Sequence, residues 1–496
     1  MQAPGINSRM WWAWVAVALL AALALRLLAA QGALWTDEAW SVVYAAEART
    51  PAGVFLRINH DNNHHLVSLW LLAIGSGASP LLARLPAILA GVAAVPVAAL
   101  IVGRTSRIGG LAAAALFALS PVLVTYGSEA RGYAPMVLAA LLFILLAQRS
   151  VEEPAPPNLR WWLALTAGLG MLCHLTMAAP VALVTLWLYL DRRAALGPDK
   201  ALGATLRLVG PALLATVAVV LFVFAAAAAS PAGMRLGGYL PFEWRDYVAA
   251  FDALAAWTTG FVVPVPLVLP VALALAVLAV AIRPQAWLGR RAWLYALLIL
   301  AVPLAALLIR PGNAGFARYY LATAIGLLLL IAEVIGRAVE GGGRRRVLGF
   351  AALILMGIGS MLLDRELVLQ QRGHPDGPVA AMAALAPAGA KLAIEPERLE
   401  ATLQLAARVR GYPLDLARGC TPAPFLLVGH GGFDPVRATI DRCGLRYLPI
   451  ADGRTPPLSG DAWTLYRAGG LQSDPPPVSG RPPQAVATAP LPAERA

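Results

Sequence analysis

Apolar runs of about 20 residues recur along this chain to near residue 363, and they leave few folds open. Each run is long enough to cross roughly 30 Å of hydrocarbon as a helix. The runs are continuous rather than alternating, so the expectation is an all-α bundle whose backbone satisfies itself within each span. Composition agrees: of 496 residues, 59% are hydrophobic and 13% charged, where a soluble domain carries about 25% charged residues. The chain reads as a polytopic membrane protein.

The net charge of +12 raises nucleic acid as a partner. The arginines, however, cluster in short loops between spans, which the positive-inside rule explains better, so no nucleic-acid partner is expected. Three cysteines are too few for a disulfide scaffold, and no zinc-type His/Cys spacing occurs. Met10–Ala30 carries three tryptophans at one end and lacks a small-residue cleavage site, so it reads as a first span rather than a signal peptide.

Placing every Arg-rich short loop in the cytoplasm gives about eleven spans. They are Met10–Ala30, Leu81–Gly103, Leu111–Thr125, Tyr133–Ala147, Trp161–Leu172, Met177–Leu190, Leu206–Ala229, Pro266–Ile282, Ala292–Ile309, Tyr320–Ile335 and Val347–Leu363. His65–Gly77 is too short to cross. Counting it as a span would also turn the basic loops outward, so it is expected to be re-entrant or interfacial. Trp40, Val43, Tyr44 and Ala48 have helical spacing, and Phe242, Trp244, Tyr247, Phe251 and Trp257 suit a second interfacial helix on the outer face.

Residues 1–363 therefore form the transmembrane domain. Residues 364–472 change composition and predict a small extracytoplasmic α/β domain. Its strands are expected at Lys391–Glu395, Pro424–Val428 and Ala462–Arg467, and its helices at Glu397–Val409 and Pro435–Cys443. Cys420 and Cys443 fall in this external part, where a disulfide persists, and they are expected to pair. Residues 473–496 are rich in proline and read as a disordered tail.

Four polar stretches flank spans on the side assigned as external. Adjacent Asp37 and Glu38 follow the first span. Such a pair is costly near a membrane unless it neutralises a cation, shifts its pKa or does chemistry, although Thr36 could cap a helix whose positive end suits both carboxylates. Asp61, Asn63, His64 and His65 gather acceptors and imidazoles. With Asp37 and Glu38 they could hold a divalent metal, through Asp37, Glu38 and His64 above all, or hydrogen-bond a sugar, or form a polar turn. Arg131 at a span end is either the partner of Glu129 or a fork matched to phosphate oxygens, with the Tyr133 hydroxyl beside it. Arg318, Tyr319 and Tyr320 offer a second cationic site, and His174 sits at a hairpin tip. Two cationic sites on one face suggest an anionic lipid headgroup.

Trp35-Thr36-Asp37-Glu38-Ala39, the Asn63-His64 turn before a short helix, Arg84-Leu85-Pro86-Ala87, Ser128-Glu129-Ala130-Arg131-Gly132-Tyr133-Ala134 and Arg318-Tyr319 occur in that order. Over roughly residues 10–340, this order resembles the bacterial GT-C glycosyltransferases that use polyprenyl-phosphate sugars. These are glycosyltransferase family 39-like proteins, related to protein O-mannosyltransferases and the lipid A aminoarabinose transferase. The resemblance implies a GT-C fold and inverting transfer of a hexosyl or pentosyl group from a polyprenyl-phosphate donor to a hydroxyl on a glycan, lipid or protein. The reaction would take place at the outer, periplasmic face of the cytoplasmic membrane. It implies Asp37 as general base, Glu38 positioning the acceptor or a metal, and Arg131 and Arg318 on the donor phosphate. No cofactor is required, and a divalent metal is an option. Where the family reads Asn-His-Pro-Pro, this chain reads Asn63-His64-His65-Leu66, so either Asn63 or His64 could take the family histidine's place. A transporter or flippase is the competing class. It predicts repeats and mid-membrane ionisable groups, whereas no repeat is found and the polar stretches lie at span ends.

Overall fold

The computed structural model describes residues 7–60, 63–152, 156–230, 233–234, 240–261, 289–430, 436–453 and 458–469. Asp61, the expected span Pro266–Ile282 and the Pro-rich tail from Ser473 lie outside these residues. The chain forms two compact units. One comprises Met1–Pro375 with Arg454–Asp461, and the other Asp376–Gly453 with Ala462–Ala496.

The first unit is helical. Its elements are α1 (Ser8–Ala29), α2 (Thr36–Ala48), α3 (Pro51–Leu56), α4 (His65–Ile74), α5 (Pro80–Gly103), α6 (Arg107–Leu119), α7 (Pro121–Tyr126) and α8 (Tyr133–Glu152). They continue as α9 (Leu159–Cys173), α10 (Ala178–Leu196), α11 (Pro198–Ala228), α12 (Trp244–Thr259), α13 (Ala292–Ile309), α14 (Leu321–Glu340) and α15 (Gly343–Gln370). Among the described residues, seven helical stretches are long and apolar enough to cross a membrane, those containing α1, α5, α8, α11, α13, α14 and α15, while α6 and α9 are shorter apolar helices. The chain is a multi-pass membrane protein. At 10 residues, α4 is about 15 Å long, too short to span.

One expected span is broken. Leu111–Thr125 does not run as a single helix: α6 stops at Leu119, Ser120 is extended, and Pro121 starts α7. Hydropathy carries through this point, but proline has no N–H to return to the preceding turn. Arg26 of α1 takes the carbonyls of Phe117 and Ala118 at the break, donating to each at 3.2 Å, and also reaches the Leu123 carbonyl at 3.4 Å. Its side chain fits because Gly91 and Gly127 flank it: a Cβ on either would lie 2.5 and 2.6 Å from Arg26 Nε. This break delivers the chain from α7 into the Gly127–Gly132 loop.

The second unit holds α16 (Gly377–Leu385), α17 (Glu400–Arg410) and six strands: β1 (Ala390–Glu395), β2 (Leu414–Leu416), β3 (Phe425–His430), β4 (Ile440–Arg442), β5 (Leu445–Gly453) and β6 (Ala462–Ala468). Sheet order is β2-β1-β3-β6-β5-β4, with β1 parallel to β2 and β3 and the remaining pairs antiparallel. This is the small α/β domain expected. The helix expected over Pro435–Cys443 is not formed where the chain is described, and β4 occupies Ile440–Arg442 instead. Cys443 and Gly444 both have positive φ and close a two-residue hairpin onto β5, a turn that needs this conformation at both central positions. Cys420 and Cys443 form the disulfide, with Cα atoms 5.3 Å apart.

Candidate active site

The site grows from the start of α2. The N-cap is Trp35, not Thr36, and Thr36 contributes the first helical N–H, which donates to Asp461 Oδ2 at 2.9 Å. Helix N-termini leave such donors open, and a carboxylate suits both the hydrogen bond and the dipole. Asp37 and Glu38 then point to different places. Glu38 is fully buried. Its Oε1 accepts from Arg84 Nε at 2.8 Å and from the Ala130 N–H at 2.7 Å, and its Oε2 accepts from Arg84 Nη2 at 2.6 Å and from the Trp35 N–H at 3.2 Å. Burial pushes this carboxyl upward, but the charge and hydrogen bonds of Arg84 outweigh it and hold Glu38 below its ordinary value. Arg84 also donates to the carbonyls of Ala30, Gly32 and Ala33 at 2.8, 3.0 and 2.8 Å, fixing the chain as it leaves α1.

Asp37 keeps a side chain that is 27% exposed, and its Oδ2 receives both Arg131 Nη1 and Arg318 Nη1, the latter at 3.2 Å. Arg131 comes from the loop before α8, and Arg318 from the 3-10 turn Ala317–Tyr320 before α14. Arg318, 281 positions from Asp37, and Arg131, 94 positions from it, thus meet on one carboxylate oxygen. Arg131 is braced further. Its Nε donates to His64 Nε2 at 3.2 Å, and its guanidinium lies 5.0 Å from the centre of the Tyr133 ring and 5.9 Å from that of Trp35. Burial, then the neighbouring Arg131 charge, hold His64 well below the ordinary histidine range, so it stays a neutral acceptor. His64 stacks on His174 at 5.0 Å and meets Tyr133 edge-on at 5.4 Å. His174 Nδ1 accepts from the Thr176 N–H at 3.1 Å. The loop reaches this position because residue 132 is glycine: a Cβ there would lie 1.9 Å from the Cys173 carbonyl.

A second, deeper layer backs this one. Glu129 does not pair with Arg131, as one reading of the sequence had it. Its Oε1 accepts from Arg372 Nη1 at 2.6 Å, with both side chains fully buried. Burial raises the Glu129 carboxyl, opposed by the charges of Arg372 and Arg131. Arg372 also donates to Ser128 Oγ and the Thr125 carbonyl at 2.7 and 2.8 Å and to Ser459 Oγ. Its own carbonyl accepts from the Asp461 N–H at 3.0 Å. One residue therefore links the loop that carries Arg131 to the carboxylate that caps α2.

The expected residues divide accordingly. Asp37, His64, Arg131, Tyr133, His174 and Arg318 come together, and Tyr319 lies beside Arg318, its ring 5.6 Å from that guanidinium. Four others serve the frame. Glu38 has both oxygens engaged. Asn63 donates to the carbonyls of Val54 and Ile58 at 2.8 and 3.0 Å, His65 stacks on Phe55 at 5.1 Å, and Tyr320 donates to the Ala314 carbonyl at 2.8 Å. Of the alternatives Asn63 and His64, it is His64 that reaches Arg131. As a metal site, Asp37, Glu38 and His64 do not fit, since guanidinium groups already occupy Asp37 Oδ2, both Glu38 oxygens and His64 Nε2. Among the described residues no group of three His, Cys, Asp or Glu side chains is placed to hold an ion. Arg84 was singled out only as part of a motif, and Arg372 and Asp461 were not anticipated.

Residues 63–224 match the family model described as dolichyl-phosphate-mannose-protein mannosyltransferase. No curated protein matches the sequence significantly. Among solved structures, ArnT from Cupriavidus metallidurans in the apo state aligns over 92% of this chain and 98% of its own, with a TM-score of 0.56 and 13% identity. The same protein bound to undecaprenyl phosphate aligns over the same shares, with a TM-score of 0.50 and 14% identity. At this identity the likeness shows the fold, which is of the GT-C type.

Proposed function

We propose that this GT-C protein is an inverting glycosyltransferase. It moves a sugar from a polyprenyl-phosphate donor to a hydroxyl acceptor at the outer face of the cytoplasmic membrane. The observation that carries the reading is the meeting of Arg131 and Arg318 on the partly open Asp37 carboxylate. The matched family description and the crystallised complex of a same-fold protein with undecaprenyl phosphate support it.

The chemistry follows from charge. A polyprenyl-phosphate sugar is a phosphodiester with one negative charge. When its anomeric C–O bond breaks, the electron pair stays on the phosphate, which gains a second charge. Two guanidinium groups against one carboxylate leave a cationic excess that stabilises this product-like state more than the ground state. Asp37 takes the proton of the acceptor hydroxyl as its oxygen attacks from the opposite face. One base and no covalent intermediate suffice for inversion, as in inverting glycosidases. Neutral His64 fixes the Arg131 fork by accepting from its Nε. Glu38, Arg84, Glu129 and Arg372 hold the two halves of the site in register. The Cys420–Cys443 disulfide favours an oxidising compartment for the second unit.

The test is mass spectrometry of polyprenyl-phosphate sugars and envelope glycans from cells with the protein, without it, and with Asp37→Asn. The expected result is a donor that accumulates and a glycan that lacks one sugar, in the deletion and the variant alike. Unchanged profiles in the deletion would sink the reading.

A further inference from the structure

Three buried polar atoms around this site have no hydrogen-bond partner among the described residues: Tyr126 Oη, Arg318 Nε and Glu129 Oε2. A buried polar group left without a partner is destabilising, and each one calls for an explanation. Tyr126 is the clearest case. It ends α7, immediately before the loop that carries Glu129 and Arg131, and it is 2% exposed. Its ring packs 5.1 Å from that of Tyr133, the same ring over which Arg131 sits at 5.0 Å. The ionisable side chains that act on its hydroxyl are Glu129, Arg318, Tyr133 and Arg131. A phenol that only filled space here would be better as phenylalanine. Arg26 fixes the backbone under α7 through the Leu123 carbonyl, so the hydroxyl is held at the site rather than placed there by a mobile turn.

We propose that Tyr126 is a further substrate-binding residue, whose hydroxyl donates to a phosphoryl oxygen of the lipid-linked donor between Arg131 and Arg318. The assignment rests on the function proposed above and adds a neutral donor to its two cations. Both arginines are shared with Asp37, so a third donor that makes no bond to that carboxylate helps direct the phosphate away from the base. The O–H also keeps its proton at any physiological pH, since an ordinary phenol titrates near 10. The competing account is a hydrogen bond from Tyr126 to Glu129 Oε2 that forms by a small shift, in which case the hydroxyl would serve stability alone.

Tyr126→Phe removes one oxygen and separates the two. Binding of undecaprenyl phosphate, and of undecaprenol as the control without phosphate, is measured for both proteins in lipid nanodiscs, together with the Tm of each. The expected result is roughly tenfold or greater weakening for undecaprenyl phosphate, as for loss of a hydrogen bond to a charged group. Undecaprenol binding should not change, and Tm should be unchanged or higher. Equal binding of undecaprenyl phosphate by the two proteins, or a Tm lowered by several degrees with binding intact, overturns the assignment and leaves the proposed function standing. If the wild-type protein does not prefer the phosphate to the alcohol, the functional reading and this assignment fall together.

Discussion

Asp37 and Glu38 are neighbours in the chain and opposites in the fold. Asp37 is 27% exposed and meets two arginines, while Glu38 is fully buried, with one arginine engaging both its oxygens. One carboxylate thus lies in a locally cationic, partly open place where charge can develop. The other is sealed in a balanced pair that pins α2 to α5 and, through the Ala130 N–H, to the Arg131 loop. A conspicuous acidic pair can divide its labour, and the residue with more hydrogen bonds is the less available for chemistry.

The comparison breaks most readily on stability. Glu38→Ala leaves Arg84 buried without its partner, which costs about 3–5 kcal/mol. Asp37→Ala, at a partly exposed position, is expected to cost less than Glu38→Ala. Thermal unfolding of the two variants in one detergent checks this, and equal losses would erase the distinction. Turnover should invert the order: Asp37→Asn folds normally and loses about 100-fold in kcat, as for a missing general base. A smaller effect, about tenfold in kcat, is expected for His64→Leu, which leaves Arg131 Nε without its acceptor. His64→Gln, which can accept there, should recover most of it.

The smallest effect concerns pH. Burial holds the His65 imidazole down to about 4, against an ordinary value of 6.5. A base with a lowered folded pKa binds fewer protons folded than unfolded, so its contribution to stability is present above pH 6.5. That contribution is lost as pH falls from 6.5 towards about 4. Glu38, an acid with a lowered pKa, adds stability above its unfolded value, and this is lost only at more acid pH. Tm measured from pH 7.5 to 4.5 should therefore decline below 6.5, and His65→Phe, which can still stack on Phe55, should flatten that decline.

The helical character of the first unit was legible because hydropathy is local, and Asp37, His64, Arg131 and Arg318 stand out as polar residues beside apolar runs. What stayed hidden was pairing at long range. Arg372 reads in sequence as one arginine after a span, and its partner Glu129 is 243 positions away. Asp461 lies 425 positions from the helix it caps. The break at Ser120-Pro121 was masked by the apolar residues on both sides, and the β4–β5 hairpin by a Cys443-Gly444 turn whose cysteine drew attention as half of a disulfide. Tyr126 carries no signal in the sequence, because only the fold buries its hydroxyl without a hydrogen-bond partner among the described residues.

The central claim is that Arg131 and Arg318 hold the donor phosphate while Asp37 acts on the acceptor. Equilibrium binding of undecaprenyl phosphate to the wild-type protein, Asp37→Asn, Arg131→Met and Arg318→Met tests it most directly. The account predicts that Asp37→Asn binds at least as tightly as wild type, having lost a competing negative charge, and that each methionine variant binds at least about tenfold more weakly. Methionine variants that bind like wild type, or an Asp37→Asn protein that loses binding, would contradict it.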